Sequence, residues 1–274
     1  MRIEKDLSQG FREHQLVTKM VQSASSILVL LKHDGQEELI KSAIGDGKIL
    51  WSGNSGFEWI GKDDEDWDSI FLVEYPSPSE LLQSVEMFRK NNFEKIRLFS
   101  VKTESKMKIR LIRFMMKYIF SLSSVELLGD DLNWDLLPVK DILPTKNQQL
   151  RLGREKKDVP IVMVNFLGYY DEPRYPTGFK GKRGKDGEES YGIYGSHVMR
   201  VVAKLGGIVE NAGEIESLLI GESDLNVTQF AFMRYHTLEA LYGMFRAKEN
   251  VKAGIHRDAG LETTRVYAFT PDNL

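Results

Sequence analysis

The sequence predicts an α+β protein made of two ferredoxin-like βαββαβ units, packed within one chain as a pseudo-dimeric α+β barrel. Three observations carry that expectation. The chain contains a collinear internal repeat, both copies show the same alternation of strand and helix patterns, and the third strand of each copy is apolar on both faces.

The repeat sets the period of the whole chain. Residues 53–61 (GNSGFEWIG) align with 213–221 (GEIESLLIG), and 67–75 (WDSIFLVEY) with 227–235 (VTQFAFMRY). Gly53/Gly213, Ile60/Ile220, Gly61/Gly221, Asp64/Asp224 and Tyr75/Tyr235 keep one offset of 160. Met87-Phe88-Arg89 answers Met244-Phe245-Arg246, and Glu104-Ser105 answers Glu262-Thr263, after a short deletion in the second copy.

The first copy opens with a β-rich run at 27–31, followed by a short helix at 36–44 and strands at 49–60 and 70–75. The turn between those strands, 61–66, offers glycine for positive φ and acids that stay solvated. Ser77, Pro78 and Glu80 mark a helix start: an N-cap serine, proline in the first turn and glutamate three residues after the cap. A final strand is expected at 107–114. The second copy repeats the order: strand 161–167, a helix, strands 208–220 and 227–235, helix 238–248 capped by Thr237, and strand 264–269. On its first helix Tyr191, Tyr194, Val198, Val201, Val202 and Leu205 share one face.

Residues 70–73 and 230–233 are apolar at consecutive positions, so neither face of the third strand can be left in water. Two helices cover one face and the sheet of the other repeat covers the second. A pocket is expected between sheet and helices or between the sheets. The domain boundaries follow: residues 1–114 form the first unit with an N-terminal helix at 15–23, 115–158 a packed linker, and 159–274 the second unit. The linker is expected to pack because 133–144 (NWDLLPVKDILP) is too rich in large apolar residues for a free tether.

Composition removes several function classes. A formal charge of −3 gives no general attraction to nucleic acid or anionic membrane, and no basic stripe with interleaved aromatics is present. The most apolar long stretch, 109–128, is broken by Arg110, Arg113 and Lys117, which argues against a membrane span. With no cysteine there are no disulfides, thiolate metal sites or cysteine nucleophiles. That composition, and the lack of an apolar signal core in residues 1–10, fit a cytoplasmic protein. No cofactor or metal is called for: His236 and Glu239 share a helix face but have no third ligand.

The stretch 47–78 (GKILWSG … WIGKDDEDWD … VEYPSP), with Met163-Val-Asn-Phe-Leu167, Tyr194-Gly195, Gly206-Gly207 and the run from His256 to Thr263 (HRDAGLET), resembles an uncharacterised family. It is a domain-of-unknown-function family of dimeric α+β-barrel proteins, distant relatives of the antibiotic-biosynthesis monooxygenase, EthD and NIPSNAP groups. The resemblance covers most of 27–114 and 159–269, and the H-R-x-A-G-L-E-[DST] stretch is its most specific part. It implies a unit that pairs with an identical copy, present here as a tandem fused pair. Its superfamily spans cofactor-free oxygenases, isomerases, haem-handling proteins and non-catalytic binders, so fold alone does not name a reaction.

The expected function is that of a small-molecule-binding protein or cofactor-independent enzyme, with one pocket in the C-terminal unit. The alternative is a non-catalytic assembly or regulatory module. His256 and Arg257 are the catalytic candidates, a titratable ring beside a fixed cation, with Leu98-Phe99 at the matching place in the first copy. The competing structural reading has His256 capping a helix and Arg257 pairing with Glu262. Asn165, Tyr194, Glu262 and Arg234 are the candidate ligand contacts. Asn165 interrupts an apolar strand, and a buried amide needs partners. Arg234 and Glu74 hold equivalent positions with opposite charge. The loop 169–189 carries Arg174, Lys180, Lys182, Arg183 and Lys185 but lacks the spacing of a phosphate-binding loop. It is expected to be a solvated insertion, with an anion-attracting lid as the less favoured reading.

Overall fold

The structure is a computed structural model that describes residues 25–129, 142–222 and 226–272. The helix expected at 15–23 and most of the apolar segment 133–144 lie outside the described residues. The strands are β1 (Ser26–Lys32), β2 (Lys48–Ile60), β3 (Asp66–Glu74), β4 (Lys95–Thr103), β5 (Ile161–Tyr169), β6 (Ile208–Ile220), β7 (Gln229–Tyr235) and β8 (Leu261–Pro271). The helices are α1 (Glu37–Ile44), α2 (Pro78–Lys90), α3 (Lys106–Tyr118), α4 (Lys146–Glu155), α5 (Gly187–Lys204), α6 (Leu238–Arg246) and α7 (Lys248–Gly260). The strands hydrogen-bond in the order β1-β3-β2-β8-β5-β7-β6-β4, a closed antiparallel barrel in a mixed α+β fold. Among the described residues no helix is long and apolar enough to cross a membrane.

The contacts group into two compact units, and β2 and β6 run through both. One unit contains Trp67–Thr103, Glu214–Asp224 and the chain up to Ser55. At its centre β1 pairs antiparallel with β3 and with β4, in registers that set Leu28 opposite both Leu72 and Phe99. All five residues of 27–31 are fully buried. Ile27, Val29 and Leu31 meet Ile40 and Ile44 of α1 and Leu81, Val85 and Phe88 of α2. Alternation sends Leu28 and Leu30 to the opposite face, so this strand must be apolar at every position. Ser77 caps α2, its hydroxyl accepting from the Glu80 amide, with Pro78 in the first turn.

The other unit contains Gly56–Asp66, Glu104–Gly213 and Leu225–Leu274. Here β5 lies between β7 and β8, with Asn165 opposite Ala231 on one side and Val266 on the other. Helices α5, α6 and α7 pack on one face of this sheet around Ile161, Met163, Val198, Val202, Leu241 and Met244. Thr237 caps α6 by accepting the Ala240 amide, and Asp186 caps α5 by accepting that of Glu189. Parts of 115–158 also pack here: Phe120 and Val125 lie against the core, and the Leu128 amide donates to the Arg246 carbonyl.

Three expectations are corrected. The strand that follows α2 is β4 at Lys95–Thr103, whereas 107–114, expected as the closing strand, belongs to helix α3. Ser105 accepts the Lys108 amide as N-cap, and Ile109 and Met116, with Ile112 between them, bury one helical face. Glu104-Ser105 therefore does not correspond to Glu262-Thr263. The second correction concerns His256 and Arg257, which stand on α7, an extra helix between α6 and β8. Helix α2 leads straight to β4, so Leu98 and Phe99 are strand residues and not their counterparts. The third concerns the turn at 61–66: its left-handed residue is Asp64 (φ 50°), not Gly61. Gly61 is required for space, because a methyl group there would meet the Glu58 carboxylate and the Arg265 side chain.

Helix α3 is apolar on two sides. Opposite its buried face, Met107, Leu111, Phe114 and Tyr118 form a stripe in which each is more than half exposed. Arg113 ties the helix to the unit by donating to the Val209 and Glu210 carbonyl oxygens and to the Glu210 carboxylate.

Candidate functional site

The sheet face beneath α5, α6 and α7 bears a partly open cavity of about 320 Å³. Much of its floor comes from alternate residues of three strands, Met163, Asn165 and Leu167 of β5, Ala231, Met233 and Tyr235 of β7, and Thr264 and Val266 of β8, with β2 and β6 contributing beside them. Helical spacing sets Tyr191, Tyr194, Val198 and Val202 of α5 over that floor. Leu241, Met244 and Phe245 of α6 and Arg257 of α7 complete the wall. Most of these groups are apolar, and a few polar ones converge on the space, as in ordinary ligand pockets.

Glycines bring Arg257 into place. Gly187, at the start of α5, and Gly260, at the end of α7, stand where two backbones nearly touch. A methyl group on Gly187 would come within 2.6 Å of the Gly260 carbonyl oxygen. The Tyr170 amide donates to that same carbonyl, and the Gly187 amide donates to Tyr170. One turn before Gly260, the Arg257 guanidinium sits 6.0 Å from the Tyr194 ring centroid. It also reaches Asp258 at 3.4 Å, while its Nε is buried without a hydrogen-bond partner among the described residues.

Three tyrosines stand with it. The Tyr191 and Tyr194 rings lie 5.4 Å apart, and Tyr235 is near enough to interact electrostatically with both. Burial pushes all three phenol pKa values up, and the Arg257 charge opposes that for Tyr191 and Tyr194. All three therefore keep their protons at neutral pH. Asn165 donates through Nδ2 to the Met163 and Ala231 carbonyl oxygens, both at 3.0 Å, which leaves Oδ1 free among the described residues. The chamber thus carries one cation and no carboxylate among its described lining residues.

No protein-family model matches the chain, and no curated protein matches it. Solved structures do. A protein of unknown function from Rhodopseudomonas palustris is 27% identical over 48% of this chain and 96% of its own, with a TM-score of 0.43. An anthrone oxidase-like protein is 12% identical over 91% of this chain and 92% of its own, with a TM-score of 0.41. A dye-decolorizing protein from V. cholerae is 10% identical over 93% and 96%, with a TM-score of 0.37. With TM-scores below 0.5, none carries an argument about what this chain binds.

Of the six residues singled out in the sequence, Asn165, Tyr194 and Arg257 line the cavity together. His256, Glu262 and Arg234 are not among its described lining residues. The His256 Nδ1 lies 2.8 Å from the Tyr175 hydroxyl, and the ring packs edge-on against Tyr175 and Phe179, which stack on each other at 4.8 Å. Burial is the main reason its pKa falls below 6.5, and His197 adds to the effect. Glu262 is exposed beside a surface depression bordered by Asp171, Glu172 and Arg174. Arg234 points away from Met233 and Tyr235 by strand alternation and pairs with Glu210 at 2.7 Å.

The loop before α5 is tied down rather than loose: the Arg174 amide donates to the Ala259 carbonyl and its guanidinium lies over the Tyr170 ring at 3.7 Å. Its cationic residues Lys180, Lys182, Arg183 and Lys185 are exposed. Among the described residues no cluster of three histidine, aspartate or glutamate side chains is placed to hold a metal ion. The residues that sequence reasoning missed are Tyr191 as a polar contact and Tyr235. The signal available was tyrosine, rather than phenylalanine or leucine, at positions facing a core.

Proposed function

We propose that this chain binds an apolar small molecule in the cavity of its C-terminal repeat, as a binding protein or as an enzyme working without a bound cofactor. The observation that carries this reading is the convergence of Arg257, three tyrosines and Asn165 on one largely apolar chamber of about 320 Å³. The surrounding architecture is read as two fused ferredoxin-like units, residues 1–114 and 159–274, joined by a packed linker at 115–158. The matching strand orders β4-β1-β3-β2 and β8-β5-β7-β6 support that reading.

Gly195 gives the test. It lines the cavity, and a Cβ at that position meets no atom within 4 Å. Gly195→Leu fills the chamber while removing a helix-interior glycine, worth about 1 kcal/mol in the helix's favour. With 2-naphthol as the probe, calorimetric titration should show saturable binding to the wild type and none to Gly195→Leu, whose melting temperature holds or rises. Equal binding to both proteins places the site elsewhere.

A second reading, an interaction scaffold, is favoured by the exposed stripe on α3. Lys106, Arg110 and Lys117 flank it, and no acidic residue occurs from Ser105 to Val125. The occupant matched to that charge is an acidic amphipathic helix of a partner protein. A labelled peptide of that kind should bind the wild type and lose its affinity for Phe114→Glu. Binding to anionic vesicles instead, or no binding, rejects this occupant.

A further inference from the structure

We infer that the ligand of the cavity is a carboxylic acid, an apolar body whose single carboxylate is held by Arg257 and the surrounding tyrosine hydroxyls. The inference rests on the ligand-pocket reading above and narrows it to one chemical class.

Charge comes first. Arg257 is the one charged side chain among the described lining residues of an otherwise neutral chamber. Its side chain is only 14% exposed, and its sole carboxylate contact among the described residues is a long one, 3.4 Å to Asp258, whose side chain is 32% exposed. A guanidinium so buried carries a desolvation cost that one long, partly exposed contact does not offset. Its Nε is buried without an acceptor, which itself disfavours the empty state. An anion entering the cavity relieves the first.

Hydrogen bonding points the same way. A carboxylate offers only acceptors, and its two oxygens can take about four hydrogen bonds. Arg257 is a donor only, and Tyr191, Tyr194 and Tyr235 of the same lining each carry a hydroxyl that can donate. A planar guanidinium suits a carboxylate better than a point charge does. An amine would be repelled, and an alcohol or ester would leave the guanidinium uncompensated. A phosphate dianion would bring more charge than one arginine neutralises. The apolar remainder of the wall, with Leu241, Met244 and Val266, then sets a compact hydrocarbon or aryl body.

The test compares 2-naphthoate with 2-naphthamide, which has nearly the same shape and no charge, by calorimetric titration at neutral pH. For the wild type, naphthoate should bind at least tenfold more tightly than the amide. Arg257→Gln should lose that preference, with the amide's affinity changed less than threefold, and Arg257→Lys should keep part of it. Thermal unfolding checks that each variant is folded, and if Arg257→Gln is not, the Arg257→Lys comparison and the wild-type ratio decide. Equal affinity of the wild type for both probes overturns the acid inference and leaves the pocket standing. Tight naphthoate binding that survives Gly195→Leu places the anion elsewhere, for instance on Lys180, Lys182 and Arg183, and overturns the inference together with the pocket. Failure of both probes to bind overturns both as well.

Discussion

Gly187 and Gly260 face each other with no room for a side chain on either, and this contact sets the position of Arg257 one turn away. A methyl group on Gly260 would meet the Gly187 carbonyl oxygen and come within 2.8 Å of the Tyr191 amide nitrogen. Both obstacles are backbone and cannot rotate aside. Gly260→Ala should therefore cost about 1–3 kcal/mol through overpacking and weaken probe binding as well. Urea unfolding and titration of the same preparation check both parts.

The two apolar faces of α3 should respond oppositely to mutation. Ile109→Ala and Met116→Ala remove buried groups and should each cost about 2–5 kcal/mol. Leu111→Ser and Phe114→Ser alter exposed positions and should each stay within about 0.5 kcal/mol of the wild type. If 107–114 were a strand in solution, Ile109 and Leu111 would share a face and respond alike. Chemical denaturation of the four variants decides.

Glu58 and Arg265 form a buried ion pair at 3.0 Å, with Glu58 also accepting the amides of Asp63 and Asp64. Burial pushes the Glu58 carboxyl above its ordinary range, and Arg265 opposes it. Arg265→Met leaves a buried carboxylate unpaired and should cost about 3–5 kcal/mol at pH 7.5, much of it recovered by the double variant Glu58→Gln/Arg265→Met. A carboxyl whose folded pKa is raised contributes stability that is full below its unfolded value and fades as pH rises through the folded one. The deficit of Arg265→Met relative to wild type should accordingly shrink at pH 5, as read by urea melts at both pH values.

His256 ties α7 to the loop through Tyr175, with His197 and Arg183 as the nearby cationic or titratable neighbours. Its folded pKa is lowered from 6.5, so its contribution is present above that value and is lost as pH falls below it. Hydrogen exchange across residues 171–185, corrected for intrinsic pH dependence, should rise between pH 7 and pH 5 in the wild type. In His256→Phe, which keeps the aromatic packing without a titrating nitrogen, the rise should vanish.

Much of the fold was legible because strand and helix caps are local. Ser77 and Thr237 announced their helices, and the unbroken apolar runs at 27–31 and 230–233 announced doubly covered strands. The misread segment had a local cause. Met107, Ile109 and Leu111 alternate with Lys108 and Arg110, a strand-like period of two that hides the helical set Ile109, Ile112 and Met116. Helix α7 went unrecognised because Gly254 and Gly260 and a weak apolar face blur its period. Half of the candidate site residues reached the cavity, since Asn165 and Tyr194 stood out as polar groups on apolar elements. Tyr235 could not be found that way: its role depends on α5 crossing over β7, a relation between segments forty residues apart. Arg234 was drawn instead, one position off the face that matters, because its charge was more conspicuous than its alternation.

A crystal structure of the protein grown with 2-naphthoate tests the central claim most directly. The account predicts density for the ring system among Met163, Val198 and Met244, with the carboxylate within hydrogen-bond distance of Arg257 and at least one of Tyr191, Tyr194 and Tyr235. An empty cavity with the probe bound elsewhere, or a carboxylate turned away from Arg257, contradicts it.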